Sequence, residues 1–388
     1  MKASAVRRSG MSVVTATVMA LLLAGQAMAA SWSSPTTFWV SGGDTWAWAG
    51  HLATLEPSTA IAVYQETHPT DGSSRIFARR STDGGATWGS PMLLSRPNTA
   101  WSYKPHIAVH GQDVDVVWTE KDAGTQQSHI RYARSTDGGA SFSSSVALSP
   151  HAYNYDAKVA RGPGGRVAVA WYNEAKVRTL IRISTNGGAS FAARQVVVNS
   201  VSQRHHALAV GDGVIYVAYT TWKDGIWLRR SLNDGASWST AAQLTVGRTG
   251  RRGVTLAAEG TQAYLGFARK SSTGWTPSIR RTVDKGASWS GQVHLAVPGA
   301  NAQPPIIALQ GGIARSAFAR CQNRGCDLRV FYRQSADGLD WTPAERVSPA
   351  GWATPFGVGY TGGKIVVGYE VYEAATDTYK IEVRTGTP

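Results

Sequence analysis

A short motif, Ser-x-Asp-x-Gly-x-x-Trp, recurs along the chain and constrains the fold more than any other feature of the sequence. The first copy runs from Ser81 to Trp88, and later copies replace Asp by Asn, Ser by Thr or Trp by Phe. Successive copies begin between 47 and 54 residues apart, and the last copy, which begins at Ser335, is shortened. A period of this length is typical of proteins in which each repeat is one supersecondary unit.

The motif is interpreted as a tight turn between two strands. The Asp or Asn side chain accepts backbone N–H groups of its own turn, and the Gly takes the positive φ that such a turn needs. The aromatic residue then begins the next strand. We therefore expect a structural role for the acidic or amide residue of each copy: Asp83, Asp137, Asn186, Asn233, Asp284 and Asp337.

A second periodic mark gives the number of repeats. Each repeat contains an apolar run that ends in an aromatic residue, as in Val114–Trp118, and such runs are typical of strands. These aromatic residues are Tyr64, Trp118, Trp171, Tyr219, Phe267, Phe318 and Tyr369. Seven repeats of four short strands predict an all-β fold, a seven-bladed β-propeller with four-stranded antiparallel blades.

The two ends of the chain explain why the seventh repeat has no turn motif. The segment after Trp32 resembles the segment after Trp88, so Trp32 is interpreted as the missing motif aromatic. Residues 381–388 are interpreted as a third strand that runs towards a motif. We therefore expect the N-terminal strand to close the last blade, which removes an open sheet edge, and residues 30–388 to form a single domain.

Motifs of this kind at this spacing resemble those of the BNR/Asp-box proteins of the sialidase-like superfamily, and the resemblance covers essentially all of residues 30–388. It implies the propeller fold, whereas the activity varies within the superfamily. Members include sialidases, xyloglucan hydrolases, lectins and assembly factors. Sialidases usually have six blades and a first substrate-binding arginine in a Phe-Arg-Ile-Pro-like stretch. The corresponding region here, from Trp46 to Thr54, contains no arginine.

The N-terminus has the features of an export signal over residues 1–29. Lys2, Arg7 and Arg8 precede an uncharged apolar run, and Ala27-Met28-Ala29 offers a cleavage site. We therefore expect a periplasmic or extracellular protein without a membrane anchor. Cleavage lowers the net charge from +14 to +11, which favours anionic partners. Export also favours a disulfide between Cys321 and Cys326, because a metal site would need more ligands than two thiols.

The functional residues are expected at the end of the propeller opposite the motif turns, where the connecting loops surround the channel. Glu66 and Glu120 follow the second-strand aromatics of neighbouring repeats and are the candidate acid and base of a glycosidase. Basic, polar and aromatic side chains at the same end are candidates for binding an anionic sugar. These candidates are Lys104, His106, Asp156, Arg204, Trp222, Arg251, Arg269 and Arg320.

Three classes of function remain open. The first is recognition of glycans, anionic ones above all, at the central cleft; the second is hydrolysis of glycosides, of sialosides or of another substrate. The third is a protein-interaction or assembly scaffold without catalysis. The sequence contains no motif for a cofactor, a metal site or specific nucleic-acid binding, and we expect a monomer.

Overall fold

The computed structural model describes residues 30–41, 47–67, 72–96, 101–122, 124–125, 127–150, 152–199, 203–221, 225–246, 253–272, 274–297, 301–321, 327–349 and 351–388, without the side chains at 38, 47–49, 203 and 204. These residues form the strands β1 to β29 and one short 3₁₀ helix, Glu174–Lys176. The all-β fold predicted from the sequence is therefore confirmed. No helix within these ranges is both long and apolar enough to cross a membrane.

The strands follow one another in groups of four. The first strands of the groups are β3 (Ala47–Leu55), β7 (Trp101–His110), β11 (Asn154–Arg161), β15 (Gln203–Gly211), β19 (Val254–Glu259), β23 (Ile306–Gln310) and β27 (Trp352–Thr361). The second strands are β4 (Thr59–Thr67), β8 (Asp113–Lys121), β12 (Val167–Asn173), β16 (Val214–Thr221), β20 (Gln262–Lys270), β24 (Ile313–Cys321) and β28 (Lys364–Glu373).

The third strands are β5 (Ser74–Ser81), β9 (Ser128–Ser135), β13 (Arg178–Ser184), β17 (Gly225–Ser231), β21 (Trp275–Thr282), β25 (Leu328–Ser335) and β29 (Thr378–Thr387). The fourth strands are short: β6 (Met92–Leu93), β10 (Val146–Ala147), β14 (Gln195–Asn199), β18 (Ala242–Gln243), β22 (Val293–His294) and β26 (Glu345–Arg346). The remaining strands, β1 (Ser31–Trp32) and β2 (Thr36–Val40), lie at the start of the described chain.

Each group pairs in chain order as an antiparallel sheet. Four groups, β11–β14, β15–β18, β19–β22 and β23–β26, form separate four-stranded sheets in the described structure. The groups β3–β6 and β7–β10 join into one larger sheet through a single parallel pair, Ser74 with Trp101. The multiple four-stranded antiparallel sheets agree with the predicted composition of the repeats.

The strand at the N-terminus completes the last sheet. Ser31 pairs with Thr387 and Trp32 pairs with Gly386, so β1 lies along β29, and β2 pairs with the other half of β29. The indole N–H of Trp32 donates to Glu345 at 3.1 Å and links this sheet to β26. The predicted pairing of the Trp32 segment with the last strand is therefore confirmed.

The second strands carry the apolar core. Nearly every side chain of β8 and β16 is buried, because both faces of the sheet are covered by neighbouring sheets. Strands covered on both faces have near-continuous apolar runs instead of a strict alternation. The repeat aromatics predicted from the sequence are all buried in these strands, and Trp118 and Trp171 have no exposed surface.

The motif turns, called box turns below, have the expected local geometry. In the first, Ser81 Oγ accepts the N–H of Gly85 at 2.9 Å, and Asp83 Oδ1 accepts the N–H of Thr87 at 2.9 Å. Equivalent bonds recur at Asp137, Asn186, Asn233, Asp284 and Asp337. The motif glycine has a positive φ in every box turn. At Gly188 a Cβ atom would also lie 1.8 Å from Tyr132 Oη, so the neighbouring sheet requires glycine there as well.

Arginines join each third strand to its neighbours. Arg182 donates through Nε to the carbonyl of Ala192 in its own sheet and through Nη1 to the carbonyl of Leu148 in the preceding sheet. The same pattern of bonds recurs at Arg229, Arg280, Arg333 and Arg384. A second series lies one residue later, where Arg80 and Arg134 donate to carbonyls of the next box turn. In the sequence, arginines recur just before the box position, which predicts packing or pairing between repeats: Arg80, Arg134, Arg230, Arg281 and Arg384. The contacts of Arg80, Arg134, Arg230 and Arg384 agree with this prediction.

Candidate functional site

The first strands are irregular at the end opposite the box turns. The pairing of first and second strands shifts between Tyr103 and His106, and between Tyr155 and Lys158, with similar shifts in β3, β15 and β27. These shifts are bulges, which bend a strand and re-aim its side chains. Lys104 and Asp156 occupy the equivalent bulge position in neighbouring sheets, with φ of 54° and 55°. A positive φ in a residue other than glycine is uncommon and concentrates at functional sites.

The bulges bring together five polar side chains, called the channel cluster below: His51, His106, Asp156, Lys158 and His206. The rings of His51 and His106 stack with centroids 4.2 Å apart and an interplanar angle of 21°. Lys158 Nζ donates to Asp156 Oδ1 at 2.9 Å. The Nδ1 atom of His106 accepts the N–H of Val159 at 3.4 Å, which ties β7 to β11. These contacts join β3, β7 and β11, and His206 on β15 acts electrostatically on Asp156.

The three histidines of the channel cluster are neutral near pH 7. Burial, together with the nearby charge of Lys158, lowers the pKa of His51 to about 4. Burial also lowers the pKa of His206 to about 4, although Asp156 opposes this shift. His106 has a pKa well below its usual value because it is buried beside His51 and Lys158. A neutral imidazole offers one N–H donor and one acceptor, so these rings can form hydrogen bonds with the hydroxyl groups of a ligand.

The charges of the cluster lie on Asp156 and Lys158. Burial alone would raise the pKa of Asp156, but Lys158, His206 and Lys104 together lower it well below its usual range. Asp156 is therefore ionised and paired. The Nε2 atom of His206 is buried without a hydrogen-bond partner in the described structure, and so is Nδ1 of His51. Buried polar atoms of this kind are costly unless a ligand or water satisfies them.

A cavity of about 730 Å³ extends from the cluster along the first strands. Its lining begins at His51 and His106 and ends at the turns that contain Glu56 and Gly111, at the end where the box turns lie. Side chains and backbone of all the first strands line it, with Val358 contributed by β27. His51 and His106 therefore line one end of this cavity, opposite the box turns, at the end where the sequence predicted a functional site.

Aromatic side chains surround the mouth. Trp101 and Trp352 begin β7 and β27 and are 40% and 57% exposed. Tyr103 and Tyr155 occupy the same register in neighbouring sheets, and their ring centroids lie 6.4 Å apart. Large exposed aromatic rings beside a polar cavity are typical of a binding surface.

Glu120, a candidate acid or base, has a different environment. Its side chain is 1% exposed and forms ion pairs with Arg96, with His129 at 3.0 Å and with Arg131 at 3.9 Å. Burial would raise its pKa, but bonds from His129 and Arg96 outweigh that effect and lower it. A carboxylate held ionised in this way is better suited to anchoring the surrounding arginines than to donating a proton.

The other predicted residues lie in separate positions. Glu66 ends β4 and pairs with Ala47 and Arg75 in the sheet. Arg269 is exposed at the end of β20. Arg320 lies with its guanidinium 4.3 Å from the centroid of the Phe331 ring, in a partly buried position where burial lowers its pKa.

Several of the predicted residues, or their side chains, are not among those that the structure describes. Arg251, Trp222 and Cys326 fall outside the described residues, and the side chain of Arg204 is not described. Cys321 ends β24, and its predicted bond to Cys326 stays a prediction. Lys104 is exposed, and its backbone N–H donates to Gln65 Oε1 at 3.4 Å. Of the predicted ligand-binding residues, the structure thus brings together Lys104, His106 and Asp156.

The sequence analysis missed His51 as a site residue. His51 pairs with Val63, and His106 pairs with Val117, so each lies opposite the residue that precedes the second-strand aromatic. Lys158 lies opposite Ala170, the equivalent position in the third repeat. Alignment of the repeats on their aromatics would therefore have revealed the series. Within the described residues, no group of His, Cys, Asp and Glu side chains has the arrangement of a metal site.

Comparison with solved structures identifies the kind of fold. The chain is similar to an ulvan lyase of polysaccharide lyase family PL25, with a TM-score of 0.56, 12% identity, and coverage of 86% of this chain and 90% of that one. A protein of unknown function from Dyadobacter fermentans gives a TM-score of 0.51 at 14% identity, covering 87% and 94% of the two chains. A Hadza microbial sialidase, Hz136, gives a TM-score of 0.52 at 13% identity.

The comparisons thus show a sialidase-like fold. The match to the sialidase covers 70% of this chain, which spans only 62% of that enzyme. No model of a protein family matches the sequence, and no curated protein matches it. Because the identities are low, these similarities define the class of fold and leave the activity to be argued from the site.

Proposed function

We propose that the protein is an exported, sialidase-like propeller that binds an anionic glycan at the mouth of its central channel. The single observation that supports this most is the channel cluster, in which Lys158 and Asp156 lie among neutral histidines with unsatisfied nitrogen atoms. Lys104 adds a second cation beside it. Sugars present many hydroxyl groups, so a site of neutral donors and acceptors with a lysine suits a ring that also carries a carboxylate or sulfate.

A seven-bladed arrangement is part of the proposal. The first strands contact one another in the cyclic order β3, β7, β11, β15, β19, β23, β27 and back to β3. All of them line one cavity. These contacts support a ring of seven blades around a channel. The proposal also includes residues 1–29 as a cleaved export signal and residues 30–388 as one monomeric Asp-box domain. The channel mouth then becomes the natural place for a ligand.

The neighbouring solved structures add support of a general kind. A sialidase and a polysaccharide lyase both act on glycans, and both share the fold of this chain. The lyase acts on a polysaccharide, which agrees with the elongated arrangement of aromatic residues around the mouth. This support concerns the chemical class of the ligand and leaves open whether a bond is broken.

The proposal is tested by measuring which glycans of an array bind the protein and then titrating one of them. We expect the Lys158→Met variant to bind acidic glycans at least 10-fold more weakly, because a charge-assisted hydrogen bond contributes about 1.5–3 kcal/mol. Binding to wild type should weaken as salt is added. Lys285→Asn is the matched control, since it removes one positive charge from a box turn and places Asn at a residue with φ of 55°.

Equal affinities of the Lys158 variant and wild type would contradict the proposed site, and an array without any bound glycan would favour the scaffold class. Hydrolysis is tested separately with fluorogenic sialosides and uronides. Turnover that Glu66→Gln or Glu120→Gln abolishes, in variants that remain folded, would establish a glycoside hydrolase. Binding without turnover would establish a lectin-like function.

A further inference from the structure

A second cavity lies beside the channel mouth, where the first two sheets meet. Its volume is about 280 Å³, and its walls are formed by Gln65, Ser74, Trp101, Tyr103 and Lys121. The parallel pair between Ser74 and Trp101 forms the junction at its base. The cavity is therefore enclosed by β4 and β5 on one side and by β7 and β8 on the other.

Trp101 is the central side chain of this cavity. The side chain is 40% exposed at the start of β7. Lys121 is its cross-strand partner and holds Nζ 5.4 Å from the centroid of the indole ring. An exposed indole presents a flat apolar surface with a polar N–H edge, and the adjacent ammonium supplies a positive charge. Gln65 contributes amide donors and an acceptor.

We propose that this cavity is a second sugar-binding subsite, which holds one acidic unit of a glycan chain while another unit lies over the channel cluster. The apolar C–H face of the sugar packs on Trp101, and its carboxylate or sulfate pairs with Lys121. The inference rests on the proposed function, and it deepens that function by naming the ligand as an oligosaccharide or polysaccharide instead of a single terminal sugar.

The two subsites are continuous along one strand. Trp101, Tyr103 and His106 all lie on β7, and five residues of extended chain span up to about 16 Å, which is wider than one sugar ring. Tyr103 lines the second cavity and also lies 6.4 Å, between ring centroids, from Tyr155 of the next sheet. Aromatic surface therefore connects the Trp101 cavity to the channel cluster, so a chain that fills both subsites remains in contact with aromatic rings.

The dependence of affinity on chain length tests this inference. The probes are galacturonate and alginate oligosaccharides of one to six units, titrated by calorimetry. We expect the affinity of wild type to rise at least 10-fold between one and four units. Trp101→Ala should remove most of that gain, and Lys121→Met should have the same effect with a smaller magnitude.

A matched control exists on another sheet. Trp275 and Lys270 form the same kind of pair, with Nζ 5.5 Å from the ring centroid, and they are also cross-strand partners. We expect Trp275→Ala to keep the full dependence on chain length. Thermal melting of each variant verifies that it is folded, and Lys121→Met serves as the informative variant if Trp101→Ala does not fold.

The outcomes separate the subsite from the proposed function. If Lys158→Met weakens binding but Trp101→Ala and Lys121→Met bind long oligosaccharides as tightly as wild type, the channel site stands and the second subsite is wrong. If no probe binds at any length, both the subsite for uronate chains and the proposed anionic glycan site are contradicted.

Discussion

Arg384 on the last strand donates a hydrogen bond through Nε to the carbonyl oxygen of Ser33, at a distance of 2.6 Å, although 351 residues separate the two in the chain. The same guanidinium donates through Nη1 to Val347 in the preceding sheet. The N–H of Ser33 in turn donates to the carbonyl of Thr385 at 2.8 Å. One arginine therefore joins the first described strands, the last strand and the neighbouring sheet.

Removal of this arginine should weaken the whole domain. We expect Arg384→Ala to lower the free energy of unfolding by about 2 kcal/mol or more, because hydrogen bonds to charged groups each contribute roughly 1.5–3 kcal/mol. Urea denaturation measures the effect. Arg194→Ala is the control, because Arg194 is exposed and its loss should cost less than about 0.5 kcal/mol. An equal midpoint for the two variants would show that the sheet closure contributes little.

The glycine of the third box turn is expected to tolerate no side chain. Gly188→Ala places Cβ 1.8 Å from Tyr132 Oη and forces alanine to a φ of 83°. The left-handed backbone and the overpacking together predict a loss of about 2–5 kcal/mol in the free energy of unfolding. In the control, Gly291→Ala, the new Cβ has no atom within 4 Å. Similar melting temperatures for both variants would refute this explanation of the motif glycine.

Glu120 should be required for stability whatever its part in catalysis. Glu120→Gln removes the negative charge beside Arg131 and leaves that buried guanidinium without compensation, which typically costs about 3–5 kcal/mol. Chemical denaturation of the variant tests this. Arg96→Ala, whose side chain is 54% exposed, should cost less. If the Glu120→Gln variant is as stable as wild type, Glu120 is again a candidate for the catalytic acid or base.

The channel cluster predicts a loss of stability in mild acid. The folded protein lowers the pKa of His206 and of His51 to about 4 from an ordinary value of 6.5, so the unfolded chain binds more protons between these two values. Stability is therefore full above pH 6.5 and falls as the pH drops towards 4. Asp156, whose pKa is lowered, contributes to the pH dependence only below this range.

Thermal melting as a function of pH measures this dependence. The His206→Asn variant should lose part of the decline between pH 6.5 and 4, because one of the three displaced histidine titrations is removed. Identical pH profiles for variant and wild type would contradict the assignment of a neutral buried imidazole to His206.

The disulfide between Cys321 and Cys326 can be tested by mass. Alkylation of the denatured, unreduced protein should add no label, and prior reduction should add two, because the chain contains two cysteines. A labelled Cys321 before reduction would show that the bond is absent.

The fold could be predicted from the repeats because the turn motifs and the buried aromatic residues are local features of the sequence. Ser81, Asp83 and Gly85 determine their own turn within five residues, and Trp118 marks a strand buried on both faces. The similarity of the segments after Trp32 and Trp88 likewise predicted that Trp32 lies beside the last strand. The phased arginines were recognised as links between repeats for the same reason.

The site was predicted only in part because it depends on bulges and on partners distant in sequence. His106 and Asp156 were chosen from their position near the mouth, whereas the stacking of His51 on His106 depends on bulges in two strands. The environment of Glu120 depends on Arg96, which reaches it from the segment after β6. Neither the shift in register nor a contact of this kind follows from the spacing of residues.

The pairing of β1 and β2 with β29 also affects the order in which the protein can assemble. Ser31 and Trp32 leave the ribosome long before Thr387 and Gly386, their partners, have been synthesised. Contacts between residues so far apart in the chain slow folding, because a long loop must close before they form. The N-terminal segment therefore has to wait until the last strand has been made, and its docking completes the last sheet.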